Sequence, residues 1–100
     1  MKSIQKYSIE EILSKKNSFF SKTNQVNIRL FKKKGITCIN CGEKGYFFKK
    51  IGKSYILFTE NNIMMTKDHI FPKSKGGSNN LQNLQPMCSK CNSEKADIIL

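Results

Sequence analysis

The chain is 100 residues long with 38% hydrophobic residues, and its 18 Lys+Arg against 7 Asp+Glu give a formal charge of +11, nearly all of it lysine because Arg29 is the only arginine. So short a chain buries a smaller share of its unfolded surface than a long one, which predicts a single domain whose core needs a staple. The charge selects a polyanionic partner, nucleic acid ahead of a membrane surface; with no run near the ~20 apolar residues of a membrane span and no apolar stretch in MKSIQKYSIEE to make a signal peptide, a soluble cytoplasmic protein is expected.

The first element along the chain is a short helix in SIEEILSKKNSFF. Ser8 is its N-cap, Glu11 stands three residues on as in a capping box, and Ile9, Ile12 and Leu13 recur at helical spacing. TNQVNIRLFKKKG repeats the logic: Thr23 or Asn24 caps, Val26, Ile28, Leu30 and Phe31 make an apolar face, Lys32 to Lys34 suit the negative end of the helix dipole, and Gly35 closes the helix. Residues 1–34 therefore read as an N-terminal helical arm, loosely attached as termini often are. TCINCG is a knuckle turn. Three runs rich in aromatic and branched residues follow, YFFKKI, SYILFTE and NIMMTKDHI, punctuated by Gly52-Lys53 and Glu60-Asn61-Asn62. They predict antiparallel strands. Pro72, Gly76 and Gly77 mark an irregular loop, and a last short helix starts near Ser89.

The four cysteines, Cys38, Cys41, Cys88 and Cys91, form two C-x-x-C pairs, CINC and CSKC. In a reducing compartment structural disulfides are disfavoured, and four thiolates at this spacing suit a tetrahedral zinc. The rival, a thioredoxin-like redox pair plus unrelated thiols, needs both pairs to be coincidental. Four protein ligands leave no open position for water, so this metal is expected to fold the domain and the chemistry to lie elsewhere.

The chemistry points to the only histidine. Asp68-His69 at a strand end, the Pro-x-Ser-x-Gly-Gly loop, Asn83-Leu84-Gln85, and Cys88-x-x-Cys91-Asn92 followed by Lys95 together resemble the HNH endonuclease family, over residues 38 to 95. The family's last signature residue is often histidine; Asn92 stands there, the H-N-N variant. The resemblance implies a small α+β zinc-stabilised domain of the ββα-metal (His-Me finger) fold with N-terminal helices. Residues 35–100 would form the nuclease domain, and the strand ending at His69 would face the helix carrying Asn92 across one divalent metal.

Chemistry supports those residue types. Phosphodiester cleavage needs an activated water, a cation on the scissile oxygens and protection of the leaving alkoxide. An imidazole can accept a proton near neutral pH, which suits His69 as general base. Asp68 and Asn92 offer hard oxygen ligands to a hydrated Mg²⁺, Mn²⁺ or similar ion. Asn83, by family analogy, fixes the loop that aims His69. Blander readings compete: Asn83 as an ordinary turn residue, Asn92 as a solvent-facing helix residue, and Tyr46, Phe47, Phe48, Tyr55 and Phe58 as core rather than as base-stacking surfaces.

These residues predict a zinc-stabilised endonuclease that hydrolyses DNA with a Mg²⁺-type ion, leaving by family resemblance a 3′-hydroxyl and a 5′-phosphate. RNA is the less favoured substrate. One active site per chain nicks one strand, and a homodimer or partner protein would supply double-strand cleavage or specificity. The alternative is a zinc-knuckle module that binds nucleic acid without cutting, or a subunit of a larger nuclease assembly.

Overall fold

The computed structural model of the chain describes residues 5–14 and 22–95, with side chains from residue 25 onward in the second segment. The end of the first predicted helix and the last residues of the final one lie outside the described residues. Among the described residues no helix is long and apolar enough to cross a membrane.

The chain opens with a strand, β1 (Lys6–Ser8), which the sequence reading did not anticipate. It is only three residues long, too short to show an alternating pattern, and its evidence lies in its partner across the sheet. Helix α1 (Ile9–Ser14) follows at once and starts with the predicted capping box. The Glu11 amide donates to Ser8 Oγ at 3.1 Å, and the Ser8 amide donates to Glu11 Oε1 at 3.4 Å. Helix α2 (Lys22–Lys34) begins ahead of Thr23 and Asn24, so neither is the cap proposed for it. Its C-terminus is closed as predicted: Gly35 adopts φ 89° and its amide donates to the Phe31 carbonyl at 2.9 Å.

Strands β2 (Gly45–Ile51) and β3 (Ser54–Thr59) form an antiparallel hairpin. Its two-residue turn starts with Gly52 at φ 63°, the positive φ that tight hairpin turns demand. With β1 they make a sheet of order β1-β2-β3. Strand β4 (Met65–His69) does not continue this meander. Apart from one bridge between Phe58 and Met64, it leaves the sheet and pairs with β5 (Leu84–Cys88), a strand absent from the sequence reading. LQPMC has no β-branched or aromatic residue and contains a proline, which cannot donate to a ladder. In a two-stranded ribbon each strand has a free edge, so Pro86 is tolerated. Helix α3 (Ser89–Lys95) starts where expected.

One hydrophobic cluster joins all these parts. Ile12 of α1, Ile28, Leu30 and Phe31 of α2, Phe48, Tyr55 and Leu57 of the sheet, and Leu84 and Met87 of β5 are buried together. The described residues of the expected N-terminal arm thus reach into this cluster. Their apolar side chains supply part of the core, which a domain of this size could not complete without them.

Candidate metal centre and candidate active site

The knuckle between α2 and β2 brings Cys38 and Cys41 to the start of α3. The Cys38 amide donates to the Glu43 carbonyl at 2.7 Å, and the Gly42 amide to the Cys38 carbonyl at 3.1 Å. Gly42, at φ 82°, supplies the left-handed residue this turn needs. The Ile39 amide donates to the Pro86 carbonyl at 3.0 Å and ties the knuckle to β5. The four sulfur atoms of Cys38, Cys41, Cys88 and Cys91 all lie within 4.8 Å of one another. Cys41 and Cys88 are 3.7 Å apart, far beyond a disulfide bond. Four sulfurs about 2.3 Å from a tetrahedral zinc stand about 3.8 Å from each other, so the cluster fits that ion.

The thiols also differ electrostatically. Burial pushes the Cys88 thiol up to about 12. Burial works the same way on Cys38, but backbone amides of Cys41, Cys88 and Asn40 outweigh it and bring that thiol down to about 6. For Cys41 the backbone amide of Glu43 favours the thiolate, yet desolvation and the neighbouring Cys91 and Cys38 raise it overall. Four thiolates held this close repel one another, and a divalent cation relieves that repulsion.

The hairpin β4-β5 is followed directly by α3, so β4 and the helix carrying Asn92 face each other. Asn92 Nδ2 donates to Thr66 Oγ1 at 2.8 Å and to the Lys67 carbonyl at 3.2 Å. Asp68, on the same side of β4 as Thr66 by strand alternation, points under the helix. Its carboxylate accepts from Gln85 Nε2 at 2.8 Å and pairs with Lys95 Nζ at 3.1 to 3.2 Å. Both partners of this pair are 4% exposed. Lys95 Nζ also donates to the His69 carbonyl at 2.9 Å, which closes α3 onto the strand end. Asp68 and Asn92 thus share the helix-facing side of β4, but the cation beside Asp68 is an ammonium. In donor chemistry the carboxylate and amide oxygens suit a hydrated divalent ion, provided Lys95 yields its place.

His69 points the other way. Its imidazole lines a cavity of about 440 Å³ whose walls include Arg29, Lys67, Lys73, Asn79 and Asn80, but neither Asp68 nor Asn92. Nε2 is 2.8 Å from Asn79 Oδ1. With the amide oxygen as acceptor, Nε2 carries the proton and Nδ1 keeps a lone pair for accepting one. A smaller cavity, of about 320 Å³, lies beside Phe31 and Leu57, and none of His69, Asp68 and Asn92 lines it.

The loop between His69 and β5 is held from several sides. Asn83 accepts from the Phe71 amide at 2.8 Å and donates to the carbonyls of Phe71, at 3.1 Å, and Ser78, at 2.8 Å. Its own carbonyl accepts from the Ile70 amide at 2.8 Å. Gly76 adopts φ 95°, and a Cβ at Gly77 would fall 1.9 Å from the Phe71 carbonyl oxygen. Both glycines are therefore required by backbone geometry.

Four polar residues of this cavity, Arg29, Lys67, Asn79 and Asn80, escaped the sequence reading as site residues. Lys67 had a signal, since it lies two residues before His69 and so on the same face of an alternating strand. Asn79, Asn80 and Arg29 had none, because the first two are brought by loop closure and the last by a distant helix. No curated protein and no solved structure matches the chain. The family model described as HNH endonuclease matches residues 52–99, a stretch that takes in β3, β4, β5, α3 and the loop bearing Asn83, so this part of the chain is similar to the HNH endonuclease family.

Proposed function

We propose that the chain is a metal-dependent endonuclease that hydrolyses DNA phosphodiester bonds in the His69 cavity, with the four-cysteine zinc as a structural ion. The observation that carries this reading is the setting of His69: an imidazole oriented by Asn79, in an open cavity walled by Arg29, Lys67 and Lys73. Cationic walls attract a phosphodiester and offset its charge as negative charge builds in the transition state. His69 Nδ1 takes a proton from water, the resulting hydroxide attacks phosphorus, and the P–O3′ bond breaks. The products are a 5′-phosphate and a 3′-hydroxyl. Asn83 is a positioning residue, fixing the turn that follows His69. A divalent ion on the phosphate would supply charge neutralisation and stabilisation of the leaving oxygen; Asp68 and Asn92 would hold it there only after the strand end rearranged and Lys95 gave up the carboxylate, since neither lines the cavity.

The Asp68–Lys95 pair favours a second reading, a zinc-knuckle module that binds nucleic acid without cutting it, since it already neutralises the carboxylate intended for a metal. Product analysis separates the two. Supercoiled plasmid incubated with the protein and Mg²⁺ should accumulate nicks that DNA ligase can seal. Plasmid that is bound but stays supercoiled establishes the binding module, and nicks that ligase cannot seal contradict the proposed bond cleavage.

A further inference from the structure

The aromatic residues of β2 and β3 divide between two faces of the sheet. Phe48 and Tyr55 are buried in the core. Phe47 and Phe58 are half-buried on the opposite face, where they are direct partners across the two strands. β1 extends that face, with Ser8 opposite Phe47 and Lys6 opposite Lys49. Two adjacent rows cross the three strands: Ser8, Phe47 and Phe58 in one, and Lys6, Lys49 and Ile56 in the next.

The second row is unfavourable by itself, because like charges directly opposite each other destabilise an antiparallel pair. Both ammonium groups lie over the Phe47 ring, 5.1 Å and 5.4 Å from its centroid, and Lys49 lies 4.3 Å from that of Phe58. Lys49 also meets the neutral side chain of Asn62. Among the described residues the ion pair is that of Lys95 with Asp68, so no carboxylate there offsets either lysine. Two rings beside two uncompensated cations suit a chain of alternating bases and phosphates. Stacking needs open base faces, which a single strand offers and a duplex keeps inside its own stack.

We propose that the outer face of the three-stranded sheet binds single-stranded DNA, with Phe47 and Phe58 stacking on bases and Lys6 and Lys49 taking phosphates. The choice of DNA over RNA rests on the endonuclease reading; the surface itself does not. The opposite face of the sheet is packed into the core, where Phe48 meets Phe31 of α2 at 6.5 Å between ring centroids. A strand on the outer face therefore leaves the His69 cavity open.

The test uses the full, zinc-loaded chain carrying His69→Ala, so that binding is read without cutting and independently of whether the nuclease reading holds. Fluorescence anisotropy follows a labelled oligothymidylate of about 12 nucleotides, within the usual site size of such surfaces, and a blunt duplex of equal length. Phe47→Leu with Phe58→Leu should weaken single-strand binding about tenfold and duplex binding less than twofold. Lys6→Gln with Lys49→Gln should also weaken it and reduce the salt slope by about 1.4, more than Lys33→Gln with Lys90→Gln, which removes the same charge elsewhere. Unchanged affinity in the lysine pair, or in a leucine pair that still melts cooperatively, overturns the proposal. So does equal weakening by the control pair, or tenfold tighter binding of oligouridylate than of oligothymidylate.

Discussion

Lys95 and Asp68 form the most consequential pair in the molecule, because both are removed from water and each is the other's counterion. Breaking a buried pair by deleting one partner leaves an uncompensated charge and costs about 3–5 kcal/mol. Lys95→Met is therefore expected to lower the melting temperature sharply in metal-free buffer, and added Mn²⁺ should recover part of the loss by restoring a cation to Asp68. Thermal melting with and without Mn²⁺ reads both effects; a variant as stable as the parent contradicts the pairing. Asn83 makes a different kind of contribution, three side-chain hydrogen bonds to the loop backbone. Asn83→Ala removes these three bonds, which are open to solvent, a loss of about 0.5–1.5 kcal/mol each at most. Nicking should fall more than DNA binding, measured side by side, because the loop that aims His69 loosens while the cationic walls remain.

Elements were legible where their signals are local. Ser8 and Glu11 announced a helix start, Gly35 its neighbour's end, and the two C-x-x-C pairs a metal site, each within a few residues of sequence. β1 and β5 were not legible, since three residues cannot show a period and Pro86 argues against a strand that only a two-stranded ribbon permits. For the same reason the β4-β5 pairing was missed while β4 itself was found. The site divides likewise: Asp68, His69, Asn83 and Asn92 stand out by motif, whereas Arg29 and Asn79 reach His69 only through the fold. The four-cysteine cluster is sensitive to pH. Cys88 and Cys41 have raised thiol pKa values, so each is protonated at neutral pH before metal arrives and releases that proton on binding. Lower pH therefore opposes zinc binding. Competition with a chromogenic chelator should show weaker affinity at pH 6 than at pH 8, and Cys88→Ser should abolish the cooperative melting transition at either.

At the scale of the whole molecule, charge and fold act together. A net charge of +11 on 100 residues makes association with DNA strongly dependent on salt. Affinity for any duplex should fall steeply between low and physiological ionic strength, as a filter-binding titration would show; a flat dependence would mean that the lysines do not meet phosphates. The four-cysteine knuckle, the hairpin and α3 frame a cationic cavity that holds one imidazole, and the proposed cleavage rests on that imidazole. The most direct measurement is the nicking rate of supercoiled plasmid by the wild-type chain and by His69→Ala, each folded, zinc-loaded and supplied with Mg²⁺. A loss of about 100-fold or more in the variant, with DNA binding retained, is the predicted result; equal rates in the two proteins would contradict it.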